Sequence, residues 1–220
     1  MSFQQEGFEI FRSALSDETI TRLRLILSGL SGAGTRGVCR IPEVRALAES
    51  ETIRDLLPSP RLKLVRSILF DKSPEANWPV AIHQDRTISV SERREVPGYG
   101  PWTLKDGIPH VEPPSAILEG MATIRLHLDN TPEENGALWV IPGSHRDGKL
   151  DGNALENAKM TPPICLECQS GDAVLMRPLI LHSSKRSASP QHRRVLHFEF
   201  ADLDSLDSRL ALELQLVTHL

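Results

Sequence analysis

The chain has 220 residues, and its 25 Lys and Arg against 29 Asp and Glu give a formal net charge of −4. A chain of this length sustains one sizeable core unaided, which excludes a small disulfide- or metal-stapled scaffold, and 40% apolar with 25% charged residues excludes a disordered polymer. The slightly acidic balance lacks the basic excess that drives phosphate-backbone binding, so no nucleic-acid partner is expected.

Helices come first in the chain. Ser16 reads as an N-cap ahead of the acidic first-turn residues Asp17 and Glu18, and Ile20, Leu23, Leu27 and Leu30 then recur near helical spacing. A second helical stretch opens at Pro42, a first-turn proline, and runs through Val44, Leu47, Ala48, Ile53 and Leu57 to Pro58. Segment 31–37 between them carries a GxGxxG spacing. A dinucleotide fingerprint needs a strand before it, whereas here a helix precedes it, so the segment reads as a flexible interhelical loop.

From residue 61 the pattern changes to strands. Runs at 63–70, 122–128, 136–141, 172–176 and 194–200 are short, apolar or alternating, and bounded by Pro, Gly, Asn and Asp. Spaced short strands with turns between them predict a sandwich or barrel rather than βαβ units. Alternation in 122–128 sets Thr123, Arg125 and His127 on one face and Ile124, Leu126 and Leu128 on the other, one face packed and one lining a cavity. Segment 91–119 shows no periodicity, is crowded with Pro and Gly and carries Tyr99 and Trp102, so it reads as a lid, with Trp102 a candidate substrate contact.

No apolar run reaches the roughly 18 to 20 residues of a membrane helix, because Arg22 and Arg24 interrupt one candidate and Arg177 and Pro178 the other. The N-terminal residues show no basic region followed by an apolar one, and three cysteines, an odd number, suit a reducing compartment. A cytoplasmic protein without membrane partners is expected. Cys165 and Cys168 form a lone CxxC, for which zinc binding is the alternative, and read as ordinary thiols on a half-buried strand.

Eight histidines are present, at positions 83, 110, 127, 145, 182, 192, 197 and 219. His83-Gln84-Asp85 sets an imidazole and a carboxylate two residues apart after the apolar approach 79–82, so on an extended strand both face the same side. His182 follows a strand 97 residues beyond Asp85, far enough for the intervening strands to bring it round a barrel. Two imidazoles and a carboxylate on one side of a metal make the facial triad that suits non-haem Fe(II), leaving other positions open. Arg193, eleven residues beyond His182 at the start of the next strand, supplies a planar fork for a carboxylate and so a place for a dicarboxylate cosubstrate.

At these residues the chain resembles the phytanoyl-CoA dioxygenase family of Fe(II)- and 2-oxoglutarate-dependent oxygenases. The resemblance runs from Phe70-Asp71-Lys72 through His83-Gln84-Asp85, then 135–145 with its Pro142-Gly143-Ser144-His145 turn, to His182-Ser183-Ser184 and Arg193. It implies a mainly β fold with flanking α: a double-stranded β-helix, or jelly-roll, core at 61–202 with the helical N-terminal segment, residues 1–60, packed outside, one domain in all. It implies iron on His83, Asp85 and His182, with Arg193 anchoring the distal carboxylate of 2-oxoglutarate and Ser184 as a second contact. The implied reaction consumes O2 and 2-oxoglutarate, releases succinate and carbon dioxide and oxidises an unactivated C–H bond. Asp85 favours hydroxylation, because halogenating relatives replace that carboxylate with a small residue. Relatives often carry an aromatic residue where this chain has Arg125, so packing on that strand does not transfer, and His145 reads as a turn residue off the metal.

Arg86, directly after the metal motif, and Arg125, Lys105 and His110 are expected to border the mouth, and Arg125 and His127 to face the cavity by alternation, which points to a polar or anionic small-molecule substrate. Pairing of Arg125 and His127 with carboxylates of neighbouring strands is the alternative, and a fatty acyl-CoA is not implied. Two other functions stay open: a metal-dependent hydrolase, lyase or isomerase on the same barrel, and a binding module without turnover. Arg193 argues against the first and the intact triad against the second. Oligomeric state is not legible.

Overall fold

The computed structural model describes residues 3–30, 34–188 and 192–212. Two antiparallel sheets form its centre. The larger has six strands in the order β1 (Phe8–Phe11), β11 (Ala173–Met176), β8 (Ala122–His127), β13 (Arg193–Asp202), β3 (Leu62–Lys72) and β2 (Thr35–Arg36). The smaller has four, in the order β10 (Ile164–Leu166), β9 (Leu138–Val140), β12 (His182–Ser184) and β4 (Val80–His83). A third sheet orders β5 (Ile88–Ser89), β7 (Ile108–Val111) and β6 (Trp102–Lys105).

The side-chain period of two divides the large sheet into an outer and an inner face. Ile124 and Leu126 of β8 and Leu196 and Phe198 of β13 turn outward into a core shared with Ile20, Leu23 and Leu27 of α2 (Asp17–Leu27), Val44 of α3 (Pro42–Ala48) and Ile53 of α4 (Glu51–Arg54). Residues between them, Arg125 of β8 and Arg193 and His197 of β13, turn inward toward β4, β9 and β12 and line a pocket between the two sheets. The protein is therefore a mainly β jelly roll with helices packed outside. Three further short helices, α1 (Phe3–Glu6), α5 (Ser115–Gly120) and α6 (Gly152–Ala158), lie in connections.

The structure corrects four sequence expectations. Residues 1–60 are not helical throughout: Gly7, at φ +82°, ends α1, and Phe8–Phe11 pairs antiparallel with β11. Its alternating Phe8 and Ile10 were too short a run to register. The helix expected from Pro42 to Pro58 breaks at Ser50, whose extended backbone and hydroxyl, accepting from Ile53 N–H at 3.4 Å, start a new helix. Two residues of the expected interhelical loop form a strand, since Thr35 and Arg36 pair with Leu69 and Ile68; residues 31–33 lie outside the described residues, as does His219. Segment 91–119, expected to lack regular structure, holds β6, β7 and α5. Its hairpin turns on Asp106-Gly107, both at positive φ (51° and 79°), the two-residue turn that matches strand twist. No helix among the described residues is long and apolar enough to cross a membrane.

Candidate metal centre

β4 ends at His83, and β12 begins at His182 directly opposite it, with ring centroids 4.2 Å apart. Asp85 follows on the turn after β4, where its backbone N–H donates to the Pro178 carbonyl at 2.9 Å. Gln84 is buried between them. Its amide donates to the carbonyls of Gly148 and Leu179 at 2.8 and 2.7 Å, and its Oε1 accepts from Leu150 N–H at 2.9 Å. A fully satisfied buried amide thus fixes the turn that aims its two neighbours.

Each histidine is held by its own strand. Nδ1 of His83 lies 2.9 Å from the Ala81 carbonyl, and Nδ1 of His182 lies 2.9 Å from that of Ile180. A carbonyl only accepts, so in the neutral rings Nδ1 carries the hydrogen and Nε2 presents a lone pair. Those Nε2 atoms stand 3.6 and 3.5 Å from the two oxygens of Asp85, and one donor atom from each of the three residues falls within 4.8 Å of the others. A gap of this size suits one ion bonded at about 2 Å to each donor. Burial opposes charge on Asp85, but His182 and His83 outweigh it and hold the carboxyl well below the usual range. Burial pushes His182 down to about 4, so its imidazole is neutral near neutral pH, as a ligand must be.

Strand alternation separates two adjacent arginines. Arg194 turns outward and is held in two-point fashion by Asp129, at 2.8 and 2.9 Å. Arg193 turns inward, is 3% exposed, and among the described residues makes no ion pair and leaves its Nε without a hydrogen-bond partner. Lys72, directly opposite it on β3, is wholly buried. Like charges at facing positions repel, and Arg125 adds a further cation beside Arg193 in the pocket lining, with Lys72 behind it. Burial, reinforced by the other cations, pushes Arg193 down to about 9 and Lys72 to about 7, and burial alone pushes Arg125 to about 10. Such a pocket fits a dianion. Lys72 Nζ donates to Ser184 Oγ at 2.8 Å, and because that oxygen accepts, the serine's own hydrogen remains available to a ligand.

A buried polar chain runs along the inner face behind these groups. Arg125 donates to His197 Nδ1 at 3.1 Å, His197 Nε2 donates to Glu199 at 3.0 Å, and Arg66 pairs with the same carboxylate. Asp85, His197 and Glu199 also lie close enough to share an ion. Glu199 is already engaged by Arg66 and His197, so the set with His83 and His182 is the better metal site. Sequence reasoning missed Arg66, Lys72, His197 and Glu199 as a group, although positions 66, 68, 70 and 72 share one face of a strand. The missing piece was the β3–β13 register that sets Arg66 against Glu199 and Lys72 against Arg193.

Other candidates lie elsewhere. Arg86 forks onto Glu112 at 3.0 and 2.8 Å and reaches Asp151 at 2.7 Å, outside the pocket lining. Trp102 packs against the apolar cluster under the third sheet, with the Arg93 guanidinium 5.7 Å from its ring. His127 is buried, its Nδ1 2.9 Å from Thr131 Oγ1, and neither it nor Arg125 makes an ion pair with a neighbouring strand's carboxylate among the described residues. His145 sits in a short turn with its Nε2 3.2 Å from the Gln4 carbonyl. Cys165 and Cys168 are free thiols.

A jelly roll that gathers two imidazoles and a carboxylate between its sheets has the architecture of the non-haem oxygenase class. The phytanoyl-CoA dioxygenase (PhyH) family model matches residues 3–195, and the chain belongs to that family. Phytanoyl-CoA dioxygenase 1 of Oryza sativa subsp. japonica is 23% identical over 180 residues, which cover 76% of this chain and 55% of that protein, so the match spans about half the relative's length. Among solved structures, the epimerase SnoN in complex with Fe3+, alpha ketoglutarate and nogalamycin RO superposes with a TM-score of 0.70 at 15% identity, covering 91% of this chain and 80% of that one. AviO1 from Streptomyces viridochromogenes Tue57 gives 0.67 at 21% identity, covering 93% and 94%.

Proposed function

We propose that this protein is a non-haem Fe(II)- and 2-oxoglutarate-dependent oxygenase that hydroxylates an unactivated C–H bond of a small molecule. The observation that carries the reading is the meeting, in one pocket, of the His83, Asp85 and His182 donors with a buried guanidinium that lacks a counter-ion among the described residues. Family membership supports it, and so does the iron and alpha ketoglutarate held by SnoN on the same fold. A hydrolase on this barrel has no use for three buried cations beside its metal.

His83, Asp85 and His182 would hold the metal, with Nδ1 of each ring fixed by a backbone carbonyl so that Nε2 stays aimed. Arg193 would take the distal carboxylate of 2-oxoglutarate as a two-point fork, with Lys72 and the Ser184 hydroxyl beside it. Ferrous iron and 2-oxoglutarate, when bound, supply the oxidising chemistry, in which O2 is consumed and succinate and carbon dioxide are released. The chain itself contributes position, charge and exclusion of water. Asp85, a carboxylate where a halogenating site keeps room for halide, supports hydroxylation.

Iron-dependent formation of succinate from 2-oxoglutarate tests the reading. His83→Ala and Asp85→Ala should each abolish it while leaving the fold intact by circular dichroism, and undiminished turnover in either would defeat the metal assignment. Product analysis separates the outcomes: substrate that gains one oxygen atom supports hydroxylation, whereas inversion of a stereocentre at unchanged mass, the reaction class named for SnoN, replaces it with epimerisation.

A further inference from the structure

We propose that Lys105 and the polar face of the third sheet form a substrate subsite at the pocket mouth, built to seat a carboxylate. This rests on the oxygenase reading and adds to it the class of substrate. The third sheet has two unlike faces. Ile88, Val111 and Trp102 turn into an apolar cluster with Val65, Leu118 and Met121. The opposite face presents Thr87, Ser89, Lys105 and His110, with Ser89 directly across from His110.

On that second face the two residues farthest from solvent, His110 and Ser89, are buried without being fully satisfied. His110 is 0% and Ser89 2% exposed, yet His110 Nε2 and Ser89 Oγ have no hydrogen-bond partner among the described residues. Buried polar atoms are nearly always paired, so orphans gathered on one face point to an absent ligand or water. Nδ1 of His110 is engaged by the Ile108 carbonyl at 2.9 Å, which leaves Nε2 as an acceptor for a donor on the ligand. Arg66, Lys105 and Arg36 stand close enough to add to burial in pushing His110 down to about 4.

The charges around this face do not balance. Arg66 is paired with Glu199 and Arg36 with Asp106. Lys105, half-buried, makes no ion pair among the described residues, and its polar contact is Thr87 Oγ1 at 3.5 Å. Lys105 is outside the lining of the metal pocket, but Asp85 and Arg66 of that lining stand close enough to act on its ammonium, which therefore adjoins the reaction centre. Asp85 and Glu199 act on Lys105 from a distance without pairing with it, so its ammonium keeps its hydrogens for a monoanion, with His110 and Ser89 left for a neighbouring hydroxyl or N–H. Arg86 is already committed to Glu112 and Asp151 and cannot serve this role.

The test uses wild type, Lys105→Gln and Lys105→Arg, each loaded with Fe(II) and 2-oxoglutarate. The probes are a panel of small carboxylic acids, each matched with its primary amide, and the readout is stimulated succinate release. In wild type the acid should half-saturate at about a tenfold lower concentration than its amide, the size of one charge-assisted hydrogen bond. Lys105→Gln should erase that difference by raising KM for the acid with kcat held, and Lys105→Arg should restore it. Acids that do no better than their amides in wild type, silence from both included, or a preference that survives in Lys105→Gln, overturns the subsite. If no succinate forms under any condition and 2-oxoglutarate fails to protect the iron-loaded protein against heat, the oxygenase reading falls instead. The subsite is then decided by thermal shifts of the metal-free protein with the same pairs, where equal shifts from acid and amide overturn it and a Lys105-dependent acid preference supports it.

Discussion

Arg193 and Arg194 carry the same side chain and meet opposite fates, because one step along a strand reverses the face. Arg194 is neutralised by Asp129, whereas Arg193 is buried and, among the described residues, unpaired. Arg193→Lys keeps the charge and loses the fork, so the KM for 2-oxoglutarate should rise by about tenfold or more in steady-state assays; an unchanged KM would place the clamp elsewhere. Glu199 is a structural counterpart, buried between Arg66 and His197. Removing one member of a buried pair strands the other charge, so Glu199→Ala should cost about 3 to 5 kcal/mol in urea unfolding; a loss near zero would show that Arg66 is satisfied without it.

Two short elements show what alternation and turn chemistry decide. β1 is tied to the large sheet by Asp172, which accepts from Ser13 N–H at 3.0 Å and Gln169 N–H at 2.8 Å and pairs with Arg12. Burial would raise the Asp172 pKa, but the two backbone N–H groups and Arg12 outweigh it and lower it. A folded pKa below the unfolded one means that the stability is fully present above about pH 4 and is lost as pH falls through the folded value. Asp172→Asn should therefore lower Tm at pH 6 and narrow its gap to wild type as pH drops toward 3, and a gap independent of pH would contradict this. In the hairpin of the third sheet, Gly107→Ala forces a side chain into φ +79° and should cost about 1 kcal/mol in thermal unfolding. The donor set was legible because His83 and Asp85 lie only two residues apart, although Asp85 sits on the turn after β4 and not on the strand expected for it, and Arg193 was legible because it opens the next strand after His182. β1 was not, since four residues give too little periodicity, and the hairpin was hidden by the prolines around it although Asp106-Gly107 is a strong turn signal. The polar chain from Arg66 to Arg125 depends on register across three strands, which no local pattern encodes.

The molecule as a whole is an apolar-backed sheet whose inner face was given over to charge. Helices cover the outer side of the large sheet, so its inner side is free to carry Arg66, Lys72, Arg125 and Arg193 against a smaller sheet that brings the histidines. Such a pocket is held together best when filled. 2-Oxoglutarate at a hundredfold over its dissociation constant should stabilise the Fe(II)-loaded fold by about 2.7 kcal/mol, seen as a rise in Tm. The most direct measurement is an anaerobic titration of the protein with ferrous iron in the presence of 2-oxoglutarate. One ion should bind per chain, and His83→Ala, Asp85→Ala and His182→Ala should each lose it while remaining folded. Iron bound undiminished by those three variants, or no stoichiometric binding by the wild type, would contradict the account.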